Sequence, residues 1–343
     1  MSLGESDMMK SDEQEIKNNL SKSAKLVDFF IEKALKNGSP DVLYKASRHL
    51  IEAGGKRLRP YLTLKSCEAV GGNPDLAIPF AAALEMLHNF TLIHDDLMDN
   101  DFMRRGIPTV HTMYGDPMAI LSGDLLFAKV FEVLSRNLPQ NISPRKVLST
   151  IKITSEATVT ICEGQALDIA FPDATTVTKD DYITMVGAKT SALFKACAMV
   201  GATIGGATEE QVEALGNFAW DSGIAFQITD DVLGITADED KLGKPVGSDI
   251  REGKKTLIII HALNHASIKD RETLLHALGS QEASHEDIEN TITILKETGS
   301  IEYTRAIAEG YKQKALKTLE FLPDSQAKND LRMILEYFVS REY

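Results

Sequence analysis

The segment from Pro74 to Leu97 is apolar on nearly every side of a helix, as Ala81-Ala82-Ala83-Leu84 shows, and such a helix has to be surrounded by other helices. Helical spacing recurs along most of the chain. Leu20, Ala24, Val27, Phe30, Ile31 and Leu35 fall three and four apart, and Gly38-Ser39-Pro40 ends that stretch. Further helices are expected from about Pro117 to Asn137, Ser143 to Asp168, Lys179 to Ile204, Glu209 to Ile235, Lys254 to His265, Ile288 to Thr298 and Ile301 to Phe321. No alternating run bounded by hairpin turns indicates a strand. The expected class is all-α, a single large bundle of long helices. Length alone, 343 residues, would suggest two domains. No Ser-, Gly- or Pro-rich linker divides the chain, however, and its informative motifs fall on both sides of the midpoint. Residues 12–343 therefore read as one domain, and the polar residues 1–11 as a flexible N-terminus.

A formal charge of −13 excludes a general nucleic-acid binder, which needs basic surface to displace counterions from phosphates. Any phosphate site has to be a local basic cluster. Cys67, Cys162 and Cys197 are odd in number and widely spaced, so neither a disulfide framework nor a CxxC zinc site is indicated, and a reducing cytoplasm fits. No signal peptide is apparent. No apolar run is read as approaching the ~20 residues that span a bilayer, so no membrane span is expected.

The chemistry is concentrated in two acidic clusters. Asp95-Asp96-Leu97-Met98-Asp99 follows the apolar stretch Phe90-Thr91-Leu92-Ile93-His94, and in a helix Asp95 and Asp99 project from one face one turn apart. Paired carboxylates suit Mg²⁺, which takes few protein oxygens and leaves room for substrate phosphates. Aspartates at a helix end are ordinarily solvated surface groups, but a buried lead-in argues against that here. Asp230-Asp231 ends a second apolar stretch, from Phe218-Ala219-Trp220 to Phe226-Gln227-Ile228-Thr229. Like charges brought together in a core repel and lose hydration, so two such clusters call for cations between them. Basic stretches supply the complement: Gly54-Gly55-Lys56-Arg57-Leu58-Arg59-Pro60, Arg104-Arg105-Gly106, Lys189-Thr190, Gly243-Lys244-Pro245, and Asp249 to Lys255. Guanidinium forks and ammonium groups match phosphate oxygens, and glycines let backbone N–H groups approach.

With GGKRLRP at 54–60, DDLMDNDFMRRGIPTVH at 95–111, KT at 189–190, FQITDD at 226–231 and GKPVGSDIREGKKT at 243–256, the sequence resembles the trans-isoprenyl diphosphate synthases of the polyprenyl synthetase family. The resemblance implies long helices around a deep cavity, usually in a homodimer, joining isopentenyl diphosphate to an allylic diphosphate (dimethylallyl, geranyl or farnesyl). It implies that Asp95, Asp96 and Asp99 bind two Mg²⁺ ions and Asp230 a third, with Asp231 in support. It further implies that Arg104, Lys189, Thr190, Gln227, Lys244 and Lys254 contact the allylic substrate or its diphosphate. Gly55, Lys56, Arg59, His88 and Arg105 would bind isopentenyl diphosphate. A terpene cyclase would share the acidic clamp without needing the second basic site, and a non-catalytic subunit would usually lack one acidic cluster.

One departure stands out: the family's second acidic motif often ends in a third Asp, whereas this chain has Gly234, and Asp249 is the acid expected to support the metal there instead. Product length is expected to depend on Phe90, five residues or ~7.5 Å back along the helix from Asp95, followed by the small Thr91. That pairing resembles archaeal synthases of the C20 product, with C15 and C25 as alternatives.

Overall fold

The computed structural model describes residues 3–136, 138–140, 142–236 and 247–339, with side chains from residue 14 onward. The described chain is helical almost throughout. Helix α1 spans Leu3–Leu35, α2 Asp41–Glu52, α3 Leu58–Ala69 and α4 Ile78–Met98, the last preceded by a 3₁₀ turn at Pro74–Ala77. After a two-stranded hairpin, β1 Met103–Arg104 and β2 Ile107–Pro108, come α5 Val110–Tyr114, α6 Asp116–Ser135 and α7 Pro144–Ala170. Next are α8 Lys179–Val186, a π-helical turn Gly187–Ser191, α9 Ala192–Gly205 and α10 Glu209–Thr236. The remaining helices are α11 Ser248–Arg251, α12 Leu257–His265, α13 Ile268–Ala277, α14 His285–Glu297, α15 Ser300–Leu319 and α16 Gln326–Val339. Every long helix expected from periodicity is present. Helices α2, α3, α5, α11, α13 and α16 and the hairpin are additions.

These additions have local causes. Helix α2 buries Ala46, Ser47, Leu50 and Ile51 on one narrow stripe, and α3 starts at Leu58, after the glycine pair, Lys56 and Arg57, with Pro60 in its first turn, where a missing N–H costs nothing. Ser267 caps α13 by accepting from the Asp270 N–H, and the short strands β1 and β2 are joined by Arg105-Gly106, both at positive φ (53° and 76°). Two consecutive positive φ values define the type I′ turn that tight hairpins prefer.

The described chain forms two compact units. One comprises residues 1–156, 196–216 and 319–334, the other 157–195, 217–318 and 335–343. In the first, α4 packs against α1, α3 and α6, and Phe80, Ala81, Ala82, Ala83, Leu84, Met86 and Leu87 are all fully buried. The all-round apolar pattern of this segment thus reflects burial on every side. Val27, Ile31 and Leu35 present α1's buried stripe at intervals of four. In the second unit, Tyr182, Met185, Val186, Ile224, Ile228, Leu257 and Ile260 form one apolar cluster, and Val232, Ile250, Ile258, Ile259, Leu274 and Leu295 belong to another.

The expectation that no apolar run reaches membrane-spanning length is corrected. Two helical stretches, Pro74–Met98 and Lys179–Gly205, are long and apolar enough, but their most apolar windows are 67% and 72% buried inside the protein. Burial among other helices explains the composition.

Candidate active site

The acidic and basic motif residues fall into both units.

In the first unit, α4 ends at Met98 and Asp99 caps it in helical conformation, its N–H donating to Asp95 O at 2.8 Å. Asp95 and Asp99 are therefore one turn apart on one face, Asp95 half-buried and Asp99 exposed. Asp96 points elsewhere. It is fully buried, one oxygen accepts a very short bond from Arg104 Nε, and the other, Oδ2, is buried with no hydrogen-bond partner among the described residues. Burial pushes the Asp96 carboxyl up to about 6 despite Arg104, and the nearby Asp101 and Asp95 charges push the same way. Arg104 also lies 3.9 Å from Asp95 and from Asp101. The I′ hairpin separates two neighbouring cations: Arg104 faces the aspartates, while Arg105 reaches back to Leu50 O at 2.8 Å and to Gly54 O.

The Gly54–Pro60 loop lies on the other side of Arg105. Lys56 is exposed, and Arg59 Nη1 donates to His88 Nε2 at 3.1 Å. That bond requires an unprotonated Nε2. Accordingly, burial first, then the guanidinium charges of Arg59, Arg105, Arg104 and Arg57, hold His88 well below its ordinary value. His88 is thus a neutral acceptor that orients Arg59. Gly55 adopts φ +149°, a conformation that strains other residues, and a Cβ there would also crowd Arg105 Cζ and Arg57 Nη1 at 3.0 Å.

Phe90 packs with His94 at 4.8 Å and Phe127 at 5.3 Å between ring centroids, and Phe127 continues to Phe131 at 5.2 Å. The neighbouring Thr91 hydroxyl donates to His88 O at 2.8 Å. Phe127 and Phe131 were not singled out by sequence, although their i, i+4 spacing on α6 was available.

In the second unit a pocket is lined by Asp168, Tyr182, Lys189, Thr190, Gln227, Asp231, Asp249 and Lys254, among others. Lys189 and Thr190 sit in the π turn, whose extra residue per turn shifts them relative to the helices on either side. Glycines make room for this turn: a Cβ on Gly164 would meet the Lys189 backbone N and lie 2.6 Å from Ala188 C, and one on Gly187 would lie 2.6 Å from the Trp220 ring. Lys189 Nζ pairs with Asp168 at 2.5 Å. The Thr190 hydroxyl donates to Gln227 Oε1 at 3.1 Å, and Gln227 Nε2 donates to Asp231 Oδ1 at 2.9 Å. Tyr182 donates to the other Asp231 oxygen at 2.5 Å. Lys254 pairs with Glu252 at 2.6 Å and lies 3.7 Å from Asp249.

Burial pushes Asp231 up to about 7; the Asp249 and Asp230 charges add to this, against the two hydrogen bonds. Both Asp231 oxygens are occupied, and its neighbour Asp230 is half-buried. A Cβ on Gly234 would lie 3.4 Å from Asp249 Oδ2, so Asp249 occupies the space beside the glycine that replaces the third aspartate. Lys244 lies outside the described residues. Asp168 and Tyr182 were missed by sequence; a glycine inside a helix at Gly164, four residues before Asp168, was the available signal for the first.

Mg²⁺ fits these residues. Asp96 Oδ2 is an orphaned buried acceptor, and burial, with neighbouring carboxylate charges, pushes up the carboxyls of Asp96 and Asp231. Among the described residues no three His, Cys, Asp or Glu side chains form a ready-made cage, so substrate oxygens and water would have to complete the coordination, as Mg²⁺ usually requires.

The polyprenyl synthetase family model matches residues 40–295. A geranylgeranyl diphosphate synthase of Methanosarcina mazei is 44% identical over 96% of this chain and 98% of its own length. A geranylfarnesyl diphosphate synthase of Aeropyrum pernix is 41% identical over 88% of this chain and 95% of its own. Among solved structures, geranylgeranyl pyrophosphate synthetase from Pyrococcus horikoshii Ot3 superposes with a TM-score of 0.90 at 46% identity, covering 96% of this chain and 99% of that one.

Proposed function

The chain belongs to the polyprenyl synthetase family, and from that premise we propose that it is a Mg²⁺-dependent prenyltransferase that condenses isopentenyl diphosphate with allylic diphosphates to give geranylgeranyl diphosphate. The observation that carries the reading is the pair of buried carboxylates, Asp96 and Asp231, each pushed up by burial and each beside a more accessible acid and near cations suited to phosphate.

Asp95, Asp99 and the Oδ2 of Asp96, unpartnered among the described residues, would hold two ions and Asp230 a third, with Asp231 in support. Mg²⁺ bound there supplies positive charge against the diphosphate as its negative charge grows. Asp96 fixes Arg104, Asp168 fixes Lys189 and Asp249 stands by Lys254; each carboxylate holds a cation in place for the allylic diphosphate. The allylic C–O bond breaks and pyrophosphate leaves. The isopentenyl double bond attacks the carbocation, and a proton lost to the departing pyrophosphate gives the longer allylic diphosphate. The Thr190–Gln227–Asp231 chain orients polar oxygens beside the cation without offering a nucleophile. Arg59, aligned by His88, with Lys56, Gly55 and Arg105, takes the isopentenyl diphosphate. A single domain over 12–343, a homodimer and a cytoplasmic location belong to the same reading.

The basic Gly54–Pro60 loop separates a synthase from a terpene cyclase. Pyrophosphate release from geranyl diphosphate should depend on added isopentenyl diphosphate; release without it, with a cyclic product, would favour the cyclase.

Product length is assigned to the Phe90–Phe127–Phe131 stack as the end wall of the tail site. Phe90→Ala is expected to shift the main product from C20 to C25 or longer on chromatography of the dephosphorylated alcohols. An unchanged C20 profile would remove Phe90 from that wall.

A pH signature follows from the carboxyls. Asp96 and Asp231 titrate near 6 and near 7 in the folded chain against an ordinary 3.8, so the stability linked to their protonated forms is complete below about pH 4 and lost as pH rises through 6 and 7. Bound Mg²⁺ offsets that loss only where the carboxyls are ionised. Mg²⁺ is expected to raise Tm by a few degrees at pH 8 and much less at pH 5.5; an equal rise at both values would contradict the assignment.

A further inference from the structure

Arg57 has no role in the reading so far, yet it combines two costly features. Its side chain is almost wholly buried, 1% exposed, and its backbone lies in the left-handed region at φ 49°, ψ 39°. A buried guanidinium has to be fully hydrogen-bonded, and a non-glycine residue at positive φ is retained where its surroundings over-determine it. Both conditions hold here. Nε donates to Asp28 Oδ1 at 2.7 Å, Nη2 to Ile51 O at 2.7 Å, and Nη1 to Gly54 O at 3.2 Å and to Glu85 Oε1 at 3.1 Å.

These partners come from four elements. Asp28 lies on α1, Ile51 O is a terminal carbonyl of α2, Gly54 O belongs to the glycine turn, and Glu85 is a buried residue of α4, one turn before His88. Asn89 Nδ2 ties the same Glu85 to its own helix through Glu85 O at 2.8 Å. The left-handed conformation turns Arg57 inward while the residues on either side of the Arg57-Leu58 step, Lys56 and Arg59, keep access to solvent. Arg105 grips the Gly54 carbonyl as well, so Gly55 is held between two guanidinium groups.

We propose that Arg57 is a positioning residue for isopentenyl diphosphate: through Glu85 and the carbonyls of Ile51 and Gly54 it locks the glycine turn so that Gly55, Lys56 and Arg59 present a preformed diphosphate site beside His88. The proposal rests on the reading that this loop takes isopentenyl diphosphate. A purely structural arginine would lower stability without favouring one substrate over the other. A positioning one has a substrate-specific signature, because a misplaced contact weakens only the ligand it serves.

The test is steady-state kinetics with each substrate varied in turn, for wild type, Arg57→Lys, which keeps the charge but loses the fork, and the paired variant Arg57→Met with Glu85→Leu, which leaves no buried charge unpaired at that contact. The KM for isopentenyl diphosphate is expected to rise about tenfold or more, well beyond any change in the allylic KM. A change in the isopentenyl KM no larger than that in the allylic KM, in a variant with native circular dichroism, would overturn the proposal. Hydrogen exchange on the wild-type protein gives a reading without any variant: the Gly54 amide, which donates to Ile51 O at 3.0 Å, should be protected before ligand is added. Protection that develops only on adding isopentenyl diphosphate would contradict a preformed site. Wild-type protein that incorporates no isopentenyl diphosphate would overturn the functional reading instead.

Discussion

Asp95→Ala is expected to lower kcat by roughly 10³-fold, the loss of several kcal/mol of transition-state charge stabilisation, while leaving the fold intact. Asp95 is half-buried at the end of α4, and its charge already raises the carboxyl of Asp96 next to it. Without metal, removing it relieves repulsion, so Tm measured in EDTA should hold steady or rise. The two readouts move apart because the acid serves the ion and opposes the metal-free fold. A kcat within tenfold of wild type would remove Asp95 from the metal site, and a collapse of Tm in EDTA would make it a structural residue.

Gly164→Ala is the second large effect, and it touches no charged group. The added methyl would meet the Lys189 backbone N and lie 2.7 Å from Lys189 Cα, and backbone cannot rotate away as a side chain can. Either α7 or the π turn has to shift. Overpacking of this kind costs about 1–3 kcal/mol of stability, and displacing Lys189 and Thr190 by ~1 Å is expected to lower kcat by about 10²-fold. The Lys189–Asp168 pair spans the same contact, so the shift separates a cation from the acid that positions it. Kinetics together with a melting curve would check this; unchanged values of both would mean that the close approach of Gly164 has no part in placing Lys189.

What could be read in advance depended on whether the determining interaction was local. The burial of α4 on all sides and the helix-spaced Asp95 and Asp99 were legible, because periodicity carries that information, whereas the grouping of Lys189, Thr190 and Gln227 came only with the family resemblance. The hairpin carrying Arg104 and Arg105 was not: its I′ turn uses Arg105-Gly106 where Asn-Gly would have signalled it, and its strands are two residues long. Asp168 and Tyr182 escaped because their meaning lies in partners 21 and 49 residues away. The purpose of Gly164 has no local sequence signal, because what requires a glycine there is the backbone of Ala188 and Lys189 passing beside it. The apolar stretches of Pro74–Met98 and Lys179–Gly205, read as too short to cross a membrane, are long enough and are instead enclosed by protein. Gly234 had looked like a lost acid; Asp249 stands next to it.

The most direct test of the central claim is product analysis of the wild-type protein with labelled isopentenyl diphosphate, Mg²⁺ and each allylic primer in turn, followed by dephosphorylation and chromatography. A linear C20 alcohol from dimethylallyl, geranyl and farnesyl primers, lost when EDTA replaces Mg²⁺, is the expected result. A dominant C15 or C25 alcohol would contradict the product assignment, and cyclic hydrocarbons or no incorporated label would contradict the prenyltransferase itself.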